Sequence, residues 1–470
     1  MRRNIMKAIC FLLIFGVLLT QYHKVFSFKY GDGIYDVTVF YELPENSVDV
    51  LCLGSSHAFE NINPNVMWKE YGYAAFDLCS SVQPMWNTYF YLKEALKTQK
   101  PQLVVLDAYR VIETREYMDD SRIIKGVSGL KWSVNKIQAL MASAPQDRWL
   151  AFGIECIQNH NRYTGDISKE DFCEYKGNPA YYASWKGLGN AFKTQALPKP
   201  DVVNDGTRRA LPAKTEWYYR KVIELCQQEN IPMLIVVAPY AGYEAQHMRL
   251  YHEAADIADE YGITFIDFNE QYEQMHLDFT TDIADADHLN YIGNVKYTTY
   301  LSEYIHAHYK VSDRREDDIQ KYGSWEKAAH YYDNSIFNYE LKSQNDYHSY
   351  LSMLAGLTQE YEIYIMVPAK QVSDEEGIKE LFGKWDFTPL YRMETYARIT
   401  ASGVTVFDSE KEFPYVADRG VHRLVFSENG VNLDGTDYQK KDGGIQIIVF
   451  DTYNGVVADS VSLSDGAVNR

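Results

Sequence analysis

One serine stands where a strand-like run ends, a position from which it could act as a nucleophile. The apolar run at residues 48–53 is followed by Gly54-Ser55-Ser56-His57. A serine between a strand and a helix presents its hydroxyl at the mouth of a sheet, and the helix start offers backbone N–H groups to a developing oxyanion. The preceding glycine lets the chain turn sharply. An ordinary serine that caps a helix is the alternative, and this motif alone favours neither.

A second motif could supply the base that such a serine needs. Asp285-Ala286-Asp287-His288 lies in a polar loop before a helical pattern. Because Asp285 is three residues before His288, its carboxylate can hold the imidazole tautomer while the other ring nitrogen faces a serine. Asp287 directly precedes His288, and Asp285 is the preferred partner. Taken alone, the motif is better explained as a solvated acidic loop in which His288 caps the next helix.

A single parallel sheet would bring the two motifs together. Short apolar runs alternate with helical patterns from residue 48 to residue 308, which is typical of an α/β fold with a buried parallel sheet. The predicted strands are residues 48–53, 74–78, 103–107, 233–237 and 264–267. Such sheets bind ligands at the carboxyl ends of their strands. The serine motif follows the first strand and the histidine loop follows the last, so both are expected at that edge.

As a pair, the motifs resemble those of the SGNH (GDSL-like) hydrolase superfamily over roughly residues 45–310. The resemblance makes Ser56 the nucleophile, with Ser55 in place of the usual Asp, and makes Asp285 and His288 the rest of a triad. It implies a three-layer α/β sandwich around the parallel sheet. Within the superfamily, the chain looks like the polysaccharide-modifying branch, which includes the alginate O-acetylation proteins and the D-alanyl transfer protein of teichoic acids.

The chain departs from that family where the oxyanion hole is usually formed. The turn after the second strand has Val82, followed by Gln83, where a glycine is usual, although the backbone N–H of Val82 can still donate. After the third strand the usual Asn is missing, and Tyr109 and Arg110 follow Asp107 instead. The candidate oxyanion or substrate groups are therefore Val82, Gln83, Tyr109 and Arg110. For Arg110, a surface ion pair is the favoured alternative.

The length of 470 residues suggests more than one domain. Residues 1–27 are expected to form a signal anchor, and residues 28–310 the hydrolase-like domain. A polar, aromatic and mostly helical insertion at about residues 112–212 is expected over the ligand-binding edge of the sheet. The highly charged residues 311–328 are predicted to be a linker. Residues 329–470 contain strand-like runs and turn signals, which predict an accessory α+β or mostly β domain.

The N-terminus carries a targeting signal. Arg2, Arg3 and Lys7 precede an apolar run at residues 8–19, which is the order found in export signals. No clean small-x-small cleavage site follows, so an uncleaved single-pass anchor with its basic end inside is favoured. A cleaved signal peptide that ends near Ser27 is the alternative. Either places the catalytic domain outside the cytoplasmic membrane.

Composition excludes some classes of partner and site. The net charge is -19, and such a surface repels the phosphates of nucleic acids. The six cysteines show no CxxC spacing and no cluster with histidine, so no metal site is expected. No organic cofactor is indicated. Cys156 and Cys173 could pair in an oxidising compartment, although spacing alone does not show a disulfide.

The family resemblance implies ping-pong acyl transfer from Ser56 to a hydroxyl of a cell-surface or secreted polysaccharide. It also implies a membrane-bound O-acyltransferase as partner and acyl donor, because an acetyl donor cannot cross the membrane unaided. Two alternatives stay open. One is a carbohydrate esterase, a deacetylase with the same triad and water as the acceptor. The other is a non-catalytic surface protein that binds glycans.

Overall fold

The computed structural model divides the chain into two compact units, Met1–Ala329 and His330–Arg470. It describes residues 2–29, 31–158, 167–172, 185–189, 192–357, 360–368, 382–385, 394–420, 422–440, 444–464 and 467–470. Cys173 lies outside the described residues, so the structure does not test whether it pairs with Cys156.

Five parallel strands form the centre of the first unit, in the order β2-β1-β3-β4-β5. The strands are β1 Val50–Gly54, β2 Ala75–Cys79, β3 Leu103–Asp107, β4 Met233–Val237 and β5 Thr264–Asp267. The first four are buried at every residue. This burial explains their continuous apolar runs, and the predicted parallel α/β arrangement is confirmed.

Side chains alternate along a strand, so both faces of this sheet are apolar, and helices cover both faces. Leu51 and Leu53 of β1 belong to the core on one face, and Val50 and Cys52 belong to the core on the other. The helices before the insertion are α1 Arg2–Phe26, α2 Asp32–Glu42, α3 Ser56–Asn61, α4 Pro64–Tyr71 and α5 Met85–Ala95. Short helices follow within the predicted insertion, namely α6 Asp120–Val127, α7 Val134–Ser143, α8 Trp149–Gly153 and α9 Glu155–Gln158. The later helices are α10 Ala213–Gln228, α11 Ala245–Glu260, α12 Tyr291–His308 and α13 Ile319–Ser343.

The first face carries α2, α5, α10 and α11, and the second carries α3, α4 and α12. The start of α3 therefore lies directly after the carboxyl end of the central strand β1. Helix α13 begins within the residues that the sequence predicts to be a linker.

The N-terminal helix α1 is long and apolar enough to cross a membrane. Its candidate span runs over 24 residues, Arg3–Phe26, and is the one such span among the described residues. At ~1.5 Å per residue the helix covers about 36 Å, which exceeds the ~30 Å of a hydrocarbon core. The helix is thus longer than the apolar run at residues 8–19. These properties fit either an anchor or a signal sequence.

The second unit is built on antiparallel sheets, as the α+β or mostly β prediction expects. A six-stranded sheet has the order β15-β14-β13-β6-β7-β8, and a four-stranded sheet has the order β12-β11-β10-β9. The strands of the larger sheet are β6 Tyr361–Val367, β7 Thr395–Thr400, β8 Gly403–Phe407, β13 Ile445–Asp451, β14 Val456–Ser464 and β15 Ala467–Asn469. Those of the smaller sheet are β9 Tyr415–Arg419, β10 His422–Ser427, β11 Gly430–Leu433 and β12 Thr436–Asp437. The helices α14 Tyr347–Leu354 and α15 Ser409–Glu412 complete the described part.

Candidate active site

Ser56 is the first residue of α3 and stands directly after β1. The helix cap is Ser55, whose hydroxyl accepts a hydrogen bond from the backbone N–H of His57 at 3.4 Å. Gly54 leaves no room for a side chain, since a Cβ there would lie 2.7 Å from the Cβ of Ala58. Because the neighbouring serine caps the helix, the hydroxyl of Ser56 is available for other contacts.

His288 contacts Ser56 with one ring nitrogen and Asp285 with the other. Its Nε2 lies 2.9 Å from the Oγ of Ser56, and its Nδ1 lies 2.8 Å from the Oδ1 of Asp285. The same carboxylate oxygen accepts the backbone N–H groups of Asp287 and His288, at 2.9 and 3.1 Å. With the Nδ1 proton donated to Asp285, the Nε2 of His288 can accept the hydroxyl proton of Ser56.

The charges around His288 favour this proton transfer. The hydrogen bond from His288 lowers the pKa of Asp285 to about 2, so the carboxylate is ionised near neutral pH. Burial alone lowers the pKa of His288, but the hydrogen bond and negative charge of Asp285 outweigh burial and raise it. The imidazolium that forms when Ser56 loses its proton is therefore stabilised.

The loop that carries His288 is tied to α3 by a buried asparagine. The Oδ1 of Asn61, the last residue of α3, accepts the backbone N–H of Leu289 at 2.8 Å. Ile283 and Leu289 pair across the loop, and Asn290 caps α12 with its side-chain oxygen. The helix of the serine and the loop of the histidine are thus held in one hydrogen-bonded arrangement.

Replacing Asn61 with alanine is expected to slow acylation of Ser56 by about 5- to 150-fold, the rate equivalent of the ~1–3 kcal/mol cost of an unpaired buried N–H. The N–H of Leu289 would lose its acceptor, and the loop could move away from Ser56. The rate is measured as acetylation by p-nitrophenyl acetate, followed by intact mass. Asn204→Ala, which removes an exposed contact with Glu270, is the matched control. A wild-type rate in Asn61→Ala would contradict the anchoring role.

A second, fully buried histidine–carboxylate pair lies beside the nucleophile. The Nδ1 of His57 is 2.9 Å from the Oδ2 of Asp107. Asp107 also accepts the backbone N–H groups of Tyr109 and Ala238, at 3.0 and 3.1 Å. The ring of Tyr109 stacks on His57 with centroids 4.2 Å apart, and its hydroxyl donates to Asp287 at 3.1 Å. The carboxylate of Asp287 therefore has a tyrosine hydroxyl as its hydrogen-bond donor.

The pairing of His57 with Asp107 was not predicted from the sequence. Its signal is an Asp that ends a buried strand and a His that follows the candidate nucleophile, 50 positions apart in the sequence. The contact of Tyr109 with Asp287 also explains why Asp285, and not Asp287, holds the imidazole. The hydroxyl of Tyr109 is engaged in this contact and not directed to an oxyanion.

Arg110 is only partly buried: 11% of its side chain is exposed, so it is less accessible than the surface ion pair that the sequence favoured. It forms an ion pair with Glu113, while its Nε has no hydrogen-bond partner among the described residues. Burial lowers the pKa of Arg110 to about 10, so the guanidinium remains charged at neutral pH. The ion pair itself was expected, whereas the partial burial of Arg110 was not.

The two candidate residues in the turn after β2 have different roles. Val82 adopts a φ of 56°, a left-handed conformation that is strained for a β-branched residue and is found at ligand-binding turns. Gln83 is buried: its amide donates to the hydroxyl of Thr88 at 3.1 Å, and its carbonyl accepts from the hydroxyl of Ser80 at 2.9 Å. The side chain of Gln83 therefore stabilises the turn, which corrects its candidate role in substrate binding.

The described residues contain no group of three or more His, Cys, Asp and Glu side chains that could hold a metal ion. The buried thiols of Cys52, Cys79 and Cys226 are free, and burial raises the pKa of each. A thiol held in its neutral form is a poor nucleophile. Ser56, with its hydrogen-bonded imidazole, is the stronger nucleophile candidate.

Comparison with known proteins gives few relatives. No protein-family model matches the chain, and no curated protein matches it. Seven chains of solved structures match. One of them, from Bacteroides fragilis NCTC 9343, is described as a "putative acylhydrolase"; it is 13% identical with a TM-score of 0.29, over 58% of this chain and 94% of that chain. The geometry of the site therefore carries the functional assignment.

Proposed function

We propose that the chain is an extracytoplasmic serine O-acyltransferase of the SGNH type that acts on a cell-surface or secreted polysaccharide. The observation that carries the proposal is the hydrogen-bonded series from Ser56 through His288 to Asp285, at 2.9 and 2.8 Å. The resemblance of the two sequence motifs supports the polysaccharide class. The apolar helix α1, with basic residues at its start, supports an anchor whose basic end is inside.

In the first half-reaction, the Oγ of Ser56 attacks the acyl carbonyl of the donor while its proton moves to the Nε2 of His288. Backbone N–H groups of Ser56 and Val82 stabilise the oxyanion. The bond between the acyl carbon and the donor's leaving atom then breaks, and His288 returns the proton to the leaving group. The products are an acyl ester on Ser56 and the free leaving group.

In the second half-reaction, a sugar hydroxyl attacks the acyl ester on Ser56. His288 takes the proton of that hydroxyl and then gives it to the departing Oγ of Ser56. The acyl group ends on the sugar, and the enzyme is restored. Asp285 stays ionised throughout and stabilises the imidazolium twice in each cycle. The proposed acyl donor partner is a membrane-bound O-acyltransferase, which an anchor in the same membrane would keep close.

The test uses the full chain in detergent with p-nitrophenyl acetate, and compares it with the variants Ser56→Ala and His288→Ala. We expect nitrophenol release and an acetyl adduct in the wild type, no adduct in Ser56→Ala, and a rate at least about 10³-fold lower in His288→Ala. Oligosaccharide acceptors are then added, and the acetylated sugar is measured by mass.

Acetyl transfer to the sugar supports the transferase, whereas release of acetate alone, unchanged by any acceptor, would assign the site to an esterase. An adduct that persists in Ser56→Ala would show that another residue is the nucleophile. No adduct in the wild type, with the acetyl ester or with a membrane-bound donor, would leave a non-catalytic glycan-binding protein.

A further inference from the structure

A second carboxyl group belongs to the helix face that carries Ser56, whose Oγ lies 2.9 Å from the Nε2 of His288. Glu60 is in the same short helix as Ser56, one turn further along. Its Oε2 is sealed from solvent and has no hydrogen-bond partner among the described residues. A buried carboxyl oxygen without a partner is costly, and such groups in native proteins call for a functional or structural explanation.

The carboxyl of Glu60 is enclosed by the insertion. The backbone N–H of Gly189 donates to the carbonyl of Phe59 at 2.7 Å. A Cβ added to Gly189 would lie 2.4 Å from the Oε1 of Glu60. The turn at residues 185–189 therefore packs directly on the carboxyl. The carboxyl of Glu60 therefore lies between this turn and the body of its own helix, α3.

Glu60 and His288 act on each other electrostatically. Burial raises the pKa of Glu60 to about 7, while the positive charge of His288 lowers it and the negative charges of Asp285 and Asp32 raise it. In the opposite direction, the charge of Glu60 raises the pKa of His288. The protonation state of each group therefore affects the pKa of the other, over the pH range in which a catalytic histidine titrates.

We propose that Glu60 is a positioning residue for His288, a second carboxylate whose charge stabilises the imidazolium formed when Ser56 is deprotonated. Asp285 contacts the Nδ1 of His288 directly, whereas Glu60 acts through the field inside the site. The inference rests on the acyl-enzyme function proposed above. It assigns Glu60 a part in the reaction but no contact with substrate.

Other ionisable groups on the elements around Glu60 and His288 do not take over this part. They are Asp32 and Asp36 of α2, His57 of α3, Asp77 of β2, Lys186 of the insertion turn, and Asp285 and Asp287 of the catalytic loop.

Most of these groups are neutral or have partners of their own. Burial raises the pKa values of Asp36 and Asp77 well above the ordinary range, which favours their neutral forms. Asp32 pairs with Lys125 at 3.3 Å. The amine of Lys186 donates to the hydroxyl of Ser324 at 2.8 Å.

The groups on the remaining two elements also have assigned partners. His57 is paired with Asp107 at 2.9 Å. Asp287 accepts the hydroxyl of Tyr109 at 3.1 Å, and Asp285 is the direct partner of His288. Among the groups named here, Glu60 is the carboxyl whose pKa is raised to about 7.

The test measures how fast diisopropyl fluorophosphate labels Ser56, by intact mass of the full chain, as a function of pH. Labelling needs the neutral imidazole, so the acid limb of the rate profile reports the pKa of His288. For Glu60→Gln, we expect that limb to move to lower pH by about half a unit or more, because the carboxylate that stabilises the imidazolium is gone. The plateau rate falls by about 3- to 10-fold, since a weaker base is a poorer proton acceptor.

Two further variants separate charge from structure. Glu60→Asp restores the carboxyl and is expected to return the acid limb toward the wild-type position. Asp36→Asn changes a buried acid of α2, on the other face of the sheet, and is expected to leave the limb in place. A titration of the Cε1 resonance of His288 by NMR, assigned by its loss in His288→Asn, gives the same pKa without labelling.

An acid limb and a His288 titration in Glu60→Gln that both match the wild type would overturn the inference while leaving the acyl-enzyme function intact. A lower plateau with an unshifted limb would mean that Glu60 is structural only. Failure of the wild type to be labelled at Ser56 at any pH would overturn the proposed function, and this inference with it.

Discussion

Asp285→Asn is expected to lower kcat for p-nitrophenyl acetate by about 10³- to 10⁴-fold, whereas Asp287→Asn should stay within about tenfold of the wild type. Asp285 accepts a hydrogen bond from the Nδ1–H of His288 at 2.8 Å. An amide there removes the charge that stabilises the imidazolium, and its NH₂ group can hold the ring in the wrong tautomer. Asp287 instead accepts the hydroxyl of Tyr109 and does not contact the imidazole through its side chain.

The pH dependence of the activity provides a second test of the role of Asp285. The pKa of Asp285 is held at about 2 by the hydrogen bond from His288, so this carboxylate keeps its charge above about pH 4. Loss of activity on acidification should therefore follow protonation of His288 and not of Asp285. Steady-state rates between about pH 4 and pH 9 test both points. Equal losses in the two variants would show that the pair of carboxylates, and not Asp285 alone, holds the imidazole.

The sheet could be predicted from the sequence because its strands are short apolar runs that end at polar residues. The bounds of β3, β4 and β5 agree with the predicted runs at residues 103–107, 233–237 and 264–267. The start of the helix after the histidine loop is harder to predict. Helix α12 begins at Tyr291, because Asn290 caps it by accepting two backbone N–H groups. A cap signal in a polar loop is easily missed when the helix is located by its apolar positions.

The site was predictable only where its residues sit in short motifs. Ser56 and the Asp285–His288 pair come together because both follow strand ends at one edge of a parallel sheet. The pairing of His57 with Asp107 depends on the exact approach of α3 to the end of β3, which no spacing rule supplies. Glu60 is hidden for a related reason. In the sequence it is a charged residue on a short helix, and only the packing of the insertion shows that its carboxyl is buried.

Asp107→Asn is expected to lower the free energy of unfolding of the first unit by about 1–3 kcal/mol, the usual cost of leaving a buried hydrogen-bonding group without a matching partner. The Oδ2 of Asp107 accepts both from His57 at 2.9 Å and from the backbone N–H of Ala238 at 3.1 Å. An amide NH₂ in place of this oxygen would set a donor against donors in a space without water. Calorimetry of the full chain measures the loss. Asp256→Asn, which breaks an exposed pair with Arg208, is the control and should cost less than about 1 kcal/mol.

The same variant distinguishes the role of Asp107 from that of Glu60, two carboxyl groups whose roles were not predicted from the sequence. Asp107 acts on the fold, so in Asp107→Asn the activity should fall together with the folded fraction, and the acid limb set by His288 should keep its position. Glu60 acts on His288, so Glu60→Gln should shift that limb while the unfolding temperature changes little. A shifted limb in Asp107→Asn would instead place the buried His57–Asp107 pair in the electrostatics of the reaction. Unchanged stability would mean that the structure around Asp107 tolerates an amide, contrary to the three hydrogen bonds that converge on its carboxylate.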